Sequence, residues 1–309
     1  MPLSWLFFGA VKLRRLLYTR GIIKVRRLSV PVVVVGNISV GGTGKTPLVV
    51  WIIEFLRQAG YRPGVISRGY RGKAASWPQP VTAQSDPRLV GDEAVLTVRR
   101  AQCPMMVGPQ RDEAARALLR QYDCDIIVSD DGLQHYALSR DVEIAVGDGV
   151  RRLGNGRLLP AGPLREPVTR LAEVDMVVCN GNPREQEFSM DVAGATAVNL
   201  LDSEERSLEA FGSDPVHALA GIGNPERFFQ LLARHGIRFD RRIFPDHYVY
   251  NEADTHFEDA RPVLMTEKDA VKCLPFADQR IWYVPVKARV DQRFGDRLLT
   301  LLQETKNGQ

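Results

Sequence analysis

The 309-residue sequence has four cysteines, at 103, 124, 179 and 273, and none stands in a CxxC pair or beside a histidine cluster. A zinc ribbon and a disulfide scaffold are therefore excluded, and a reducing compartment is the natural setting. Internal repeats and low-complexity tracts are also missing. The apolar opening is too short to cross a membrane: it runs uncharged from Met1 to Val11, whereas a spanning helix needs about 20 apolar residues. It is no ordinary secretory signal, because its positive charges follow the apolar run and no small-residue cleavage site comes after it. Acidic residues are absent from the first 27 positions, which carry Lys12, Arg14, Arg15, Arg20, Lys24, Arg26 and Arg27. With the whole chain at net +4, this +7 segment leaves the remainder at net −3, so attraction to an anionic partner is concentrated at the N-terminus. The acidic remainder argues against nucleic acid, and nothing points to an obligate protein partner.

What is present is ordinary globular composition, 44% hydrophobic and 25% charged, in a length that suits two domains. Leu3, Leu6, Phe7, Ala10, Leu13 and Leu17 recur at helical spacing, with Trp5 and Phe8 widening the apolar face and basic residues at its edge. That pattern suits an in-plane helix on an anionic membrane surface, the alternative being a helix packed on the domain with solvated arginines.

Further along, strands and helices alternate. Residues 31–36 (PVVVVG) form a β-branched run of the kind seen in buried parallel strands, and feed a glycine loop and an apolar helix over 46–58 that Gly60 stops. More strands are expected at 64–67, 104–107, 125–129, 142–146 and 175–179, with a helix over 112–121. The succession predicts an α/β fold, a doubly wound parallel sheet with ligands at the carboxyl ends of its strands. A second, smaller α/β unit begins near 216, giving expected divisions of 1–28, 29–212 and 213–309. In it, Thr266 with Asp269 three residues on reads as a capping box, and the GIG at 221–223 reads as a plain strand-to-helix turn, since Glu226 replaces the third glycine of a dinucleotide fingerprint.

Chemistry concentrates in SVGGTGKT, residues 39–46, directly after the buried strand. In a phosphate-binding loop the backbone N–H groups of Val40, Gly41, Gly42, Thr43 and Gly44 face the anion. Lys45 reaches the outer phosphates, and the Thr46 hydroxyl binds Mg²⁺ at a helix N-terminus. Ser39 departs from the strict first glycine, and Val40 stands where partition-type ATPases carry a lysine. The run 125–131 (DIIVSDD) then ends an apolar strand in Asp130 and Asp131, hard oxygen ligands suited to Mg²⁺.

The motifs GNISVGGTGKTP (36–47), SRGY (67–70), GDE (91–93), DDGLQH (130–135), GPLRE (162–166), PDHY (245–248) and TEKDAVK (266–272) follow in one order. Together they resemble the tetraacyldisaccharide 4'-kinase family, over about residues 1–290. The resemblance implies transfer of the ATP γ-phosphate to the 4'-hydroxyl of an acylated glucosamine disaccharide 1-phosphate lipid. It also implies a monotopic enzyme on the cytoplasmic face of a Gram-negative inner membrane, with its active site between two α/β domains. By motif, Lys45 and Thr46 take the nucleotide and Mg²⁺ roles, and Asp130, Asp131 and Glu166 look like metal-site carboxylates. Gln134 and His135 line the same site, and Asp92 and His247 resemble a catalytic pair. Arg68, Arg111 and Arg165 are candidate grips for the lipid phosphate, because guanidinium binds phosphate bidentately. Two rival classes fit less well. A membrane-associated switch ATPase of the partition type does not need the GDE and PDHY motifs, and a small-metabolite kinase has no use for the basic N-terminus.

Overall fold

The computed structural model describes residues 2–307, which divide into two compact units, Met1–Asp191 with Ala288–Gln309, and Val192–Lys287. The first unit contains α1 (Pro2–Thr19), β1 (Val32–Gly36), α2 (Lys45–Gln58), β2 (Pro63–Ser67), β3 (Gln79–Pro80), α3 (Pro87–Val90), α4 (Asp92–Ala101), β4 (Met105–Val107), α5 (Arg111–Gln121), β5 (Ile126–Asp130), β6 (Val142–Asp148), β7 (Met176–Asn180) and β8 (Phe188–Ala193), the last crossing into the second. The second unit holds β9 (Thr196–Asn199), β10 (Glu205–Ser207), β11 (Val216–Ala220), α6 (Pro225–Arg234), β12 (Phe239–Ile243), α7 (Glu252–Thr255), β13 (Val263–Thr266), α8 (Glu267–Cys273) and β14 (Ile281–Val284). The chain then returns through β15 (Lys287–Val290) to α9 (Gln292–Asn307).

Among the described residues, nine strands form the first sheet in the order β15-β8-β7-β6-β1-β5-β2-β4-β3. Every residue of β1 is buried, as expected of a β-branched strand covered on both faces. It pairs in parallel with β5 on one side, Val32 opposite Ile127, and with β6 on the other, Val33 opposite Val142. The strand order reverses about β1, which places the loop after it at the switch point where open α/β sheets bind ligands. Leu48, Val49, Ile52, Ile53 and Leu56 form the buried stripe of α2. The helix ends where Gly60, at φ +87°, lets Tyr61 N–H donate to the Leu56 carbonyl at 3.0 Å.

The second sheet runs β10-β9-β14-β13-β11-β12, with β11 to β14 parallel and β9 and β10 antiparallel. Phe228, Phe229 and Leu232 of α6 pack onto it beside Trp282 and Phe211.

The α/β class and the second, smaller unit are as the sequence predicts, but the divisions fall elsewhere than 212/213. β9 and β10 pair into the second sheet, and α9 belongs to the first unit. The reason is aromatic packing: fully buried Phe294 sits 5.6 Å from the ring of Trp51 in α2 and 5.6 Å from that of Phe188.

The N-terminal helix divides its apolar residues between two directions. Phe7 and Phe8 pack against a cluster of Ile38, Leu158 and Leu164, and Ser4 donates to the Leu158 carbonyl at 2.8 Å. Leu3, Trp5, Leu6, Leu13 and Leu16 are exposed, Trp5 by 71%. Among the described residues no helix is long and apolar enough to cross a membrane.

Candidate active site

The glycine loop turns between β1 and α2 with Gly41 at φ +98° and Gly44 at φ +94°. At Gly44 a side chain is excluded twice, because that φ is strained for other residues and a Cβ there would lie 2.4 Å from Asn180 Nδ2. Asn180, at the end of β7, donates to the Thr43 carbonyl at 3.0 Å, while buried Asn37 donates to the Thr43 hydroxyl at 3.4 Å. The interior side of the loop is thus pinned by two asparagines. Its outer side, Val40 to Gly42, is exposed, and the first turn of α2 adds backbone N–H groups and the positive end of a 14-residue helix.

Lys45 spans the site. Its Nζ donates to Asn37 Oδ1 at 3.4 Å and lies 3.4 Å from Asp131 Oδ1. Arg165 grips the same carboxylate with two hydrogen bonds, at 3.1 and 2.9 Å, and also donates to the Asn37 carbonyl at 3.0 Å. Burial pushes Asp131 upward, but Lys45 and Arg165 outweigh it and hold the carboxyl at about 2. Asp130, one residue earlier, behaves oppositely. Burial, reinforced by the negative charge of Glu93, pushes it up to about 7, and its Oδ1 is buried with no hydrogen-bond partner.

The loop of residues 149–167 folds over the glycine turn. Val40 N–H donates to the Pro163 carbonyl at 2.8 Å and Arg165 N–H to that of Ile38 at 2.6 Å, while Arg151 bridges Asp148 and the Gly42 carbonyl at 2.9 and 2.6 Å. This packing buries Glu166, which accepts from Gln134 Nε2 at 2.6 Å and from the Tyr136 hydroxyl, with Arg170 Nε 3.6 Å away. Gln134 also donates to the Asn37 carbonyl at 3.0 Å.

Arg111 opens α5 almost fully buried, donating to the Gly108 carbonyl at 2.8 Å. Burial lowers its guanidinium to about 10, still a cation at neutral pH. Its backbone N–H donates to His135 Nε2 at 3.4 Å, so this nitrogen keeps its lone pair, and burial together with Arg111 and Arg140 brings the imidazole down to about 4. His135 is accordingly neutral near pH 7 and suited to hydrogen bonding, not to charge neutralisation. Arg68 is exposed beyond β2 and lines a cavity of about 310 Å³ with Tyr70, Arg71, Trp77 and Pro109. Asp92 is buried at the start of α4, its Oδ1 accepting from Glu93 N–H at 2.9 Å, behind the Gly91 turn at φ +95°. His247 stands in the second unit, in the loop after β12.

The sequence profile of a family described as tetraacyldisaccharide-1-P 4'-kinase (LpxK) matches residues 1–303. The chain belongs to the tetraacyldisaccharide 4'-kinase family. Among curated relatives, the tetraacyldisaccharide 4'-kinase of Nitrosococcus oceani is 54% identical, with 98% of this chain and 90% of that protein aligned. The one from Pseudoalteromonas atlantica is 49% identical over 99% of this chain and 100% of its own length. A crystal structure described as an "apo" form of LpxK from Aquifex aeolicus in complex with ATP superposes with a TM-score of 0.82. It is 27% identical, with 97% of this chain and 98% of that one covered.

Within this family framework the structure gathers the glycine loop, Asp130, Asp131, Gln134, Arg165 and Glu166 around Asn37 and Lys45. The three carboxylates expected at a metal site have different partners, and among the described residues no three His, Cys, Asp or Glu side chains are grouped to hold a metal ion. Glu166 is spent on Gln134, Tyr136 and Arg170, and Asp131 on two cations. The orphaned Asp130 oxygen does fit a hard cation, because Mg²⁺ commonly takes one or two carboxylates and completes its shell with phosphate and water.

The sequence reading missed several residues that shape the site. Asn37 lies inside the 36–47 motif and was open to discovery there. Asn180 and Tyr136 carry no local signal, since each matters through partners distant in sequence, whereas Arg170 lies four residues after Glu166 and was within reach of local pattern.

Proposed function

We propose that this protein is an ATP-dependent kinase that transfers the γ-phosphate to the 4'-hydroxyl of a tetraacyldisaccharide 1-phosphate, a lipid A precursor. The observation that carries the reading is the glycine loop at the sheet's switch point, with Lys45 bound to Asp131 at the end of the neighbouring strand. Phosphoryl transfer depends mostly on positioning and charge neutralisation. In this role the loop backbone and Lys45 bind the β- and γ-phosphates, which compete with Asp131 for the ammonium group. Asp130 and Thr46 are the residues to hold Mg²⁺, which when bound neutralises phosphate charge. Asp131 and Arg165 orient Lys45, and Asn37 sets both.

Asp92 is assigned to take the acceptor hydroxyl proton and His247 to assist it, both by family motif. Arg111 and Arg68, cations beyond β4 and β2, are assigned to the acceptor's phosphate, with Gln134 and His135 as neutral hydrogen-bonding groups. The exposed Trp5, Leu6, Leu13 and Leu16, together with the basic residues of the first 27, support seating on the cytoplasmic face of the inner membrane of a Gram-negative bacterium as a monotopic enzyme. Nothing favours the partition-type ATPase reading. The test is incubation with γ-labelled ATP and acylated disaccharide 1-phosphate in detergent micelles. Label in the lipid is the expected result, and label released only as inorganic phosphate overturns it.

A further inference from the structure

Tyr136 touches both α1 and a carboxylate beside the phosphate loop. Its hydroxyl donates to Glu166 Oε2, while Gln134 Nε2 donates to Oε1 at 2.6 Å, and Glu166 is only 1% exposed. Burial and the charge of Glu166 push the Tyr136 hydroxyl up to about 12, so it stays protonated and donates at neutral pH. Arg170 Nε, 3.6 Å from the same oxygen, adds charge but no hydrogen bond. Hydrogen bonds to a buried carboxylate are among the strong ones, and losing one leaves a charged oxygen unsatisfied. Gln134, oriented by Glu166, donates onward to the Asn37 carbonyl at 3.0 Å, and Asn37 Oδ1 accepts from Lys45 Nζ at 3.4 Å. A run of hydrogen-bonded side chains thus leads from Tyr136 to the lysine of the loop.

The Tyr136 ring is braced by α1. Ser4, Phe7, Phe8, Val11, Arg15 and Tyr18 recur at helical spacing as a half-buried stripe of that helix. At its far end the Tyr18 ring lies 5.9 Å from that of Tyr136, and the Arg14 guanidinium stands 5.9 Å over the same ring. The Arg140 guanidinium, 5.2 Å from the ring, is anchored on the Leu133 and His135 carbonyls at 3.1 and 2.6 Å. A second link runs through charge: Arg15 pairs with Glu173, which lies 3.9 Å from Arg170 Nη1. We propose that Tyr136 is a positioning residue for phosphoryl transfer: braced by Tyr18 and Arg14, its hydroxyl fixes Glu166 and, through Gln134 and Asn37, the place of Lys45. The helix assigned to the membrane surface therefore also supports the phosphate loop. The proposal rests on the kinase reading for its effect on transfer, whereas nucleotide binding alone reads the link from Tyr136 to the loop.

The experiment uses the full chain, assayed in detergent micelles with acylated disaccharide 1-phosphate, and calorimetric binding of a non-hydrolysable ATP analogue with Mg²⁺. Tyr136→Phe keeps the ring and removes the hydroxyl. It should lower kcat about tenfold and weaken analogue binding about fivefold, with KM for lipid and sedimentation with anionic vesicles within about twofold of the parent. Tyr18→Ala should lower kcat about threefold, and Tyr18→Phe should retain most of it. Because Tyr18 acts through the hydroxyl, adding Tyr18→Ala to Tyr136→Phe should cost little more. Parent-like kcat or parent-like analogue binding in Tyr136→Phe overturns the proposal, as do multiplicative losses in the double variant. A kcat loss that vanishes when the assay is run further below Tm assigns Tyr136 to stability alone and also overturns it. A parent that puts no label into lipid overturns the kinase reading, and analogue binding then still decides the link to the loop.

Discussion

The two units solve the problem of presenting chemistry at strand ends in contrasting ways. After β1 the chain uses glycines, backbone N–H groups and cations held by Asn37 and Asp131, a surface suited to receiving an anion. After β12 it uses a proline turn, three packed aromatic rings and a strained histidine, a surface whose order is already complete. Under the proposed function the difference follows from the ligand chemistry. Polyphosphate has many equivalent oxygens and is held by many weak donors, whereas directing one proton takes a single group at one orientation.

The largest expected effect comes from breaking the first region. Lys45→Ala should lower kcat by about 10³-fold or more with little change in Tm, since Lys45 opens a helix and fills no core position. Steady-state assay and thermal unfolding check this, and activity within tenfold of the parent removes the phosphate-loop assignment. His247→Gln should cost about 10²-fold in kcat while leaving KM for ATP unchanged, so the contrast fails if KM for ATP rises in step.

The adjacent aspartates supply a pH test of intermediate size. A carboxyl raised to about 7 in the folded state binds more protons there than when unfolded, so Asp130 weakens stability as pH rises from about 4 through 7. Asp130→Asn in the nucleotide-free protein should therefore raise Tm more at about pH 8 than at about pH 5, while abolishing transfer. Asp131 has the opposite sign: held at about 2, it stabilises above the ordinary carboxyl value of about 3.9 and loses that contribution as pH falls through 2. Asp131→Asn should lower Tm at about pH 7 and leave it nearly unchanged near pH 2, followed by circular dichroism melts.

The smallest effect on stability belongs to the outward side of α1. Trp5→Ser with Leu6→Ser should change Tm very little, because both side chains are largely exposed, yet reduce sedimentation with anionic vesicles and raise KM for lipid severalfold. Phe8→Ser, on the inward side, should lower Tm as well, and equal behaviour of the two variants erases the distinction between the faces.

Local pattern was enough to reveal the β-branched run of β1, the glycine loop, the paired aspartates and the strand-helix alternation, because each depends on neighbours within a few residues. Periodicity likewise marked α1 as a helix, but could not say that Phe7 and Phe8 turn inward while Trp5 and Leu6 face out, since that is decided by the loop of residues 149–167. Nor could it tell that Glu166 is consumed by Gln134 and Tyr136, or that Asp130 and Asp131 are driven apart in acidity by different partners. The return of α9 to the first unit was hidden for the same reason. Hydrogen bonding, packing and electrostatics act over a few ångströms in space, so contacts among residues 30 to more than 200 positions apart in sequence exist only after the chain has folded.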